Sequence, residues 1–355
     1  MGKVRKIRVA IVAPPFGETG GPEVVAKNLA EALSDNDCVD VTLFCPKDWH
    51  LTANIKRVDT LNESLWNMSD FKNQTEKVRR NLRISSQIKV LLQQDYFDLI
   101  HLHSQDYAYC VGKNSSKPCV LSWHNRITKQ EFEQTKEAGI YSVSLSKFQK
   151  KFFRTSKTIW NGVSLKETVF SQNTKDYLIA VGRLTEQKGI DIAIQVARKA
   201  KRKLLIFGRI GNSEERQTYF KEKIKPFLNK DVIYKGEVSH KELLAYLRNS
   251  EALLFTIRRP EVCPMVVLEA LASGTPIIGT KVGPLPELLK NKKIAFLSDK
   301  EDELVKVAKN TSCFDRLECR KYAEANFSSF RMANEYLKLY KKIINAEKRR
   351  IDHKC

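Results

Sequence analysis

Two carboxylates eight positions apart, Glu261 and Glu269, stand on either side of a Cys263-Pro264-Met265-Val266 step, with Gly274-Thr275-Pro276 and a β-branched run behind them. An ionised carboxylate accepts two or more O–H donors, so this pair can bracket a ligand rich in hydroxyls. If a helix opens near Pro264, proline in its first turn costs little, and the first backbone N–H groups have no intrahelical partner. Such N–H groups can hold an anion. Glu269 would lie about 80° around the helix from a glutamate at position 261, but Glu261 precedes the helix start and belongs to a loop. The same residues also fit a plainer reading, an acidic residue favoured by the helix dipole followed by a solvated glutamate.

A second group is cationic. Gly182-Arg183-Leu184-Thr185-Glu186-Gln187-Lys188-Gly189 directly follows an apolar run. Arginine offers a planar fork for bidentate phosphate contact and lysine a mobile point charge, so one loop can aim both at one diphosphate. An ordinary cationic surface loop is the alternative. The turn Gly20-Gly21-Pro22-Glu23 leads from a buried run, Arg8 to Ala13, into a helix with Val25, Leu29 and Ala32 on one face. That layout places free N–H groups and the positive end of a helix dipole at a crevice. It is not G-x-G-x-x-G, which argues against a dinucleotide enzyme. His101, His103 and His124 all fall at the ends of apolar runs. A structural histidine is the plainer reading of each; His124 is the best site candidate, because Val120-Leu121-Ser122-Trp123 delivers it to the crevice side.

These groups need elements to position them. Strands are expected at Arg8 to Ala13, Val39 to Cys45, Leu99 to His103, Cys119 to Trp123, Tyr141 to Leu145 and Thr158 to Ile159. A second series is expected at Tyr177 to Val181, Leu204 to Phe207, Val232 to Lys235, Ala252 to Thr256, Pro276 to Gly279 and Ile294 to Leu297. Helical stretches separate them, the α/β signature of doubly wound parallel sheets. A length of 355 residues suggests two domains, here 1–170 and 171–328, with a final helix and basic tail over 329–355. Two such domains would face across a cleft that takes the ligand.

Composition narrows the class. Hydrophobic residues at 42% and aromatics at 9% describe a globular chain. No apolar run approaches the ~18 residues of a membrane span. The start is basic, but its apolar run is short and broken by Arg8, so a strand is expected and not a signal peptide. Met1-Gly2 lacks the later Ser or Thr of a myristoylation signal, since Lys6 stands there. Eight cysteines without a C-x-x-C pair suggest neither a zinc ribbon nor a disulfide framework, and a reducing cytoplasm is expected. Asp35-Asn36-Asp37 imitates a metal-binding D-x-D but follows the first helix on the wrong side of a sheet and reads as a turn.

The net charge of +21 calls for a polyanionic partner. Nucleic-acid binding is the rival class, yet the basic residues spread over both halves without an interleaved aromatic stripe. From Thr75 to Gln94, Val78, Leu82, Ile84, Ile88, Leu91 and Leu92 oppose Arg79, Arg80 and Arg83. This reads as a core-docked helix or as a patch for an anionic membrane surface.

Taken in order, the Gly20-Gly21-Pro22-Glu23 turn, His124, Asn161-Gly162-Val163, Gly182-Arg183-Leu184 with Lys188-Gly189, and Glu261 to Glu269 continuing to Pro276 resemble the retaining glycosyltransferases of family 4, the group 1 glycosyl transferases of GT-B fold. The resemblance covers nearly the whole chain. It implies two Rossmann-like domains, the first on the acceptor side and the second binding the nucleotide sugar, with the last helix crossing back to the first. Arg183 and Lys188 would bind the donor diphosphate and stabilise its developing charge. Glu269 would accept from ribose hydroxyls and Glu261 from the transferred sugar, which His124 would also contact. Gly20, Gly21, Gly182, Gly208 and the amides around Pro264, Met265 and Val266 would complete the donor cradle. The implied reaction moves a hexose-like sugar from a UDP- or GDP-linked donor to a hydroxyl of a glycan, a lipid-linked or a small-molecule acceptor, with no cofactor and no metal. A peripheral position on the inner face of a membrane is expected from the Thr75 to Gln94 segment and the net charge, not from the resemblance. An epimerase or phosphorylase of the same fold is a further rival. Three departures stand out: Thr256-Ile257-Arg258-Arg259 where the family has Pro-Ser, Ser164 where it often has Asp, and the added cation of Gly208-Arg209-Ile210-Gly211.

Overall fold

The computed structural model describes residues 5–51, 55–68, 71 and 74–352; the Met1-Gly2 motif and the last residues of the basic tail lie outside them. The chain divides into two compact units, Met1–Gly162 with Ser329–Cys355, and Val163–Ser328.

The first unit is built on seven parallel strands: β1 (Ile7–Val12), β2 (Val39–Cys45), β3 (Lys56–Asp59), β4 (Leu99–Leu102), β5 (Cys119–Ser122), β6 (Tyr141–Ser144) and β7 (Lys157–Thr158). Their order is β3-β2-β1-β4-β5-β6-β7. Val9 to Val12 of β1 are fully buried, as expected of a parallel strand covered on both faces, which reads as a continuous apolar run. By contrast β3 is Lys-Arg-Val-Asp, a short charged edge strand that no apolar run announces. The Gly21–Ser34 helix begins with proline in its first turn. The last helix, Ser329–Asp352, packs against it and buries Tyr336 and Tyr340 completely.

The basic amphipathic segment departs from expectation. It is an α-helix over Glu76–Ile88 that tightens into a 3₁₀ stretch over Lys89–Tyr96. The buried residues are Ser86, Gln87 and Val90, whereas Val78 and Ile88 are exposed and Leu92 is 84% exposed. Two causes combine. The Gln87 side-chain amide donates to Ala13 O at 3.0 Å, anchoring a polar position, and the change from about 3.6 to about 3.0 residues per turn shifts the phase of the later apolar residues.

The second unit carries six parallel strands: β8 (Leu178–Val181), β9 (Leu204–Phe207), β10 (Val232–Gly236), β11 (Ala252–Phe255), β12 (Ile277–Gly279) and β13 (Ala295–Leu297), in the order β10-β9-β8-β11-β12-β13. Its core joins β8, β9 and β11 to Ile190, Ile194 and Ala197 of the Ile190–Ala200 helix. Residues 163–170, assigned above to the first domain, group with this unit. The reason is local bonding: Val163 N–H donates to Phe327 O at 2.8 Å, and the Arg320 guanidinium donates to Thr168 O at 2.6 Å and to Ala272 O at 2.9 Å. The Asn161-Gly162 turn therefore marks the boundary.

Candidate functional site

In each sheet the strand order reverses beside the first strand of the unit, between β1 and β4 and between β8 and β11. Loops at the carboxyl ends of strands at such switch points form the crevice where α/β sheets bind ligands. In the second unit those loops are the two cationic and acidic stretches singled out above.

Lys188 Nζ forms an ion pair with Glu261 Oε1, so residues from both loops meet; their side chains are 19% and 28% exposed. The loops are stitched together beneath this pair. Thr256 Oγ1–H donates to Gly189 O at 2.7 Å, and Arg258 N–H donates to Gln187 O at 2.9 Å. Gly189 is left-handed, with φ 61°, and an added Cβ would lie 1.9 Å from Thr256 O, so only glycine allows this approach. Arg258, at one of the departures, grips Asp191 with both guanidinium branches at 2.7 and 2.6 Å and donates to Glu186 O at 2.9 Å. It staples the loop that carries Arg183 and Lys188. Arg183 itself is exposed, and among the described residues its guanidinium makes no ion pair. It lines a cavity of about 500 Å³ with Asp191, Arg216, Tyr219 and Arg258.

Pro264 is the N-cap of the Met265–Ala272 helix, outside its first turn, so the first free amides belong to Met265 and Val266. Glu269 is only 5% exposed, which rules out a solvated glutamate. Its Oε1 lies 2.8 Å from His240 Nε2. His240 was not among the sequence candidates. A capping box of Ser239 and Glu242 opens its helix, His240–Asn249; that signal was legible as a helix start, but nothing local tied the residue to Glu269. Gly208 has φ 141°, and an added Cβ there would lie 1.9 Å from Gly182 O, so two of the glycine candidates are in close backbone contact. The extra cation of that turn, Arg209, donates to Glu237 at 2.9 Å.

In the first unit, Gly20 caps the Gly21–Ser34 helix, and an added Cβ there would sit 2.1 Å from Glu23 Oε2. Burial pushes the Glu23 carboxyl up to about 8, so it is a neutral acid at pH 7. An added Cβ at Gly21 meets nothing within 4 Å. The helix is tied to the domain-closing turn by Asn28 Nδ2, which donates to Gly162 O at 3.0 Å.

All three strand-end histidines meet. His103 Nδ1 and His124 Nε2 are 2.9 Å apart. His101 Nδ1 lies 2.6 Å from Tyr340 OH and its Nε2 2.8 Å from Ser122 Oγ, which is 2.5 Å from Tyr336 OH. Burial holds His101 and His103 well below the usual imidazole range and pushes His124 down to about 3, so all three rings are neutral at pH 7.

Asp35 is the C-cap of the first helix, and Asn36 Oδ1 accepts from Cys38 N–H at 2.9 Å, which makes that D-x-D a turn. Among the described residues no group of three or more His, Cys, Asp or Glu is placed to hold a metal. No helix among them is long and apolar enough to cross a membrane.

Two parallel Rossmann-like sheets, each presenting its loops at a switch point, define the GT-B class. The chain matches the family model for group 1 glycosyl transferases over residues 164–310 and that for glycosyltransferase family 4 over residues 19–188. It belongs to the group 1, family 4 glycosyltransferases, and is a transferase that uses a nucleotide sugar. It is 26% identical to an uncharacterized 41.2 kDa protein in the cps region of Klebsiella pneumoniae, over 91% of this chain and 96% of that one. Sucrose-phosphate synthase from Thermosynechococcus elongatus shares the fold with a TM-score of 0.74 at 16% identity, over 97% of this chain and 100% of that one. Anabaena HepE, solved with UDP and glucose, shares it with a TM-score of 0.71 at 16% identity, over 95% and 100%.

Proposed function

We propose that the protein transfers a hexose-like sugar, with retained configuration and without a metal, from a UDP- or GDP-linked donor to a hydroxyl of a glycan, a lipid-linked or a small-molecule acceptor. The observation that carries this reading is the meeting of Lys188 and Glu261 across the two switch-point loops. A donor diphosphate offers Lys188 a better-matched partner than a carboxylate, which frees Glu261 to accept from sugar hydroxyls. Arg183 and Lys188 then stabilise the charge that grows on the leaving diphosphate. With His240 on one oxygen of Glu269, the other accepts from the ribose, while the Met265 and Val266 amides and the Gly182 and Gly208 turns cradle phosphate. For the first unit, taken by itself, the resemblance assigns Gly20 and Gly21 to donor binding and His124 to sugar contact. The leaving phosphate oxygen takes the acceptor's proton on the same face, so no covalent nucleophile is needed. A uridine donor is favoured by the UDP held in the HepE structure.

The test is a thermal-shift screen of UDP, GDP, ADP and their glucose conjugates in EDTA. A ligand at ~100 times its Kd stabilises by about 2.7 kcal/mol. A shift that appears only with added Mg²⁺ refutes the metal-free reading, and no shift with any of them refutes the donor reading.

A peripheral position on an anionic membrane is favoured by one observation, the exposure of Val78, Ile88 and Leu92 on a segment that also exposes Lys77 and Arg80. The protein is expected to sediment with phosphatidylglycerol vesicles at low salt, and Leu92→Glu to weaken this several-fold. Equal recovery with phosphatidylcholine vesicles, or no effect of the substitution, removes the reading.

A further inference from the structure

His124 meets the solvent side of the first unit half-buried, and behind it lies a second histidine that no ligand can reach. His103 is 2% exposed. Its backbone is fixed at the switch point, with its N–H donating to Val12 O at 3.0 Å. Its ring stacks on His124 with centroids 5.1 Å apart and planes 25° from parallel. The His101 ring lies 4.3 Å from it between centroids, itself held by Tyr340 and by Ser122. We infer that His103 positions His124 by donating from Nδ1–H to His124 Nε2, which fixes His124 as the tautomer protonated on Nδ1 and presents that N–H to a ligand oxygen.

A neutral imidazole carries one N–H and one bare nitrogen. Two ring nitrogens 2.9 Å apart must share one proton, since two would clash and none would leave facing lone pairs. If the proton sat on His124 Nε2, His103 would carry its own on Nε2. That atom is buried and has no hydrogen-bond partner among the described residues. An orphaned N–H is rarer in folded proteins than an under-used acceptor, by analogy with the backbone, so the proton belongs to His103 Nδ1. His124 Nε2 is then an acceptor, its proton is on Nδ1, and Nδ1 makes no hydrogen bond among the described residues. A neutral donor suits a sugar hydroxyl or ring oxygen, both of which accept. Because His103 cannot touch substrate, it is a positioning residue.

This rests on the reading of His124 as the sugar-contacting histidine, but its test does not. The full chain is labelled with ¹⁵N-histidine and its long-range ¹H–¹⁵N correlations recorded at pH 7 without ligand, with His124→Asn and His103→Asn assigning the two rings among the six histidines. The expected pattern for His124 is a protonated Nδ1 and a bare Nε2. In His103→Leu the lock is gone and His124 reverts to the Nε2–H form or a mixture, while in His103→Asn, whose side-chain amide can donate in place of the imidazole, the Nδ1–H form persists. A wild-type His124 protonated on Nε2 overturns the inference, and so does an unchanged His124 pattern in His103→Leu; the first outcome needs no variant to fold. Adding UDP-glucose and GDP-mannose afterwards separates the two claims. An Nδ1–H signal that no nucleotide sugar perturbs leaves the tautomer standing and removes the sugar contact.

Discussion

Replacing Lys188 by Ala lowers the turnover of sugar transfer by about 10²–10³, equivalent to about 2.7–4 kcal/mol, the loss typical of removing one preorganised group aimed at developing charge. Arg183→Ala falls in the same range. A leaving diphosphate gains charge in the transition state, so cations placed for it act on kcat more than on ground-state binding. Lys188 is held in place before the donor arrives, by Glu261 and by the Gly182 backbone, whose missing Cβ would lie 3.2 Å from Lys188 Cδ. Removing the amine should leave the fold intact, because a partly exposed ion pair contributes only about 0–1 kcal/mol to stability. Steady-state and single-turnover rates on the donor found by the thermal-shift screen check this. A variant that keeps wild-type kcat would take Lys188 out of the chemistry, and one that raises only KM would recast it as a uniform binder.

Gly208→Ala destabilises the protein by about 3 kcal/mol and disturbs the donor loop with it. Its Cβ would lie 1.9 Å from Gly182 O, a backbone atom that cannot rotate away, and φ 141° is a conformation alanine rarely adopts. Backbone strain of this kind costs about 1–3 kcal/mol, and the clash adds to it. Relief requires Gly182 to move, and Arg183 follows it in sequence, so donor affinity should fall alongside stability. Gly21→Ala is the control, since its Cβ meets nothing within 4 Å, and it should change stability by no more than about 0.5 kcal/mol. Urea unfolding of the three proteins decides: equal midpoints for Gly208→Ala and wild type would mean that the close approach does not constrain the loop.

Much of this arrangement is legible in the residues themselves. The apolar runs located every strand but β3, whose Lys-Arg-Val-Asp sequence carries no burial signal because an edge strand has none to show. The loop from Gly182 to Gly189 and the Glu261 loop were visible as chemistry following a strand. For the Thr75–Gln94 segment the core-docked reading fails for a physical reason: Gln87 anchors a polar position against Ala13, and beyond Lys89 the change of pitch shifts the phase of the later apolar residues. His101, His103 and His124 appeared as three separate strand-end histidines, although β4 and β5 are adjacent strands, with Leu102 opposite Leu121.

What the sequence determined by itself is everything that depends on near neighbours: alternating strands and helices, a proline at a helix start, glycines where a turn needs them, and the residue types at strand ends. The tertiary structure alone decided which of these meet. Lys188 finds Glu261 across 73 positions, Glu269 finds His240 across 29, and His103 finds His124 across 21. Those distances are set by strand order, and strand order is chosen by how helices and sheet bury their apolar faces together, a property of the whole unit that no short stretch of chain encodes.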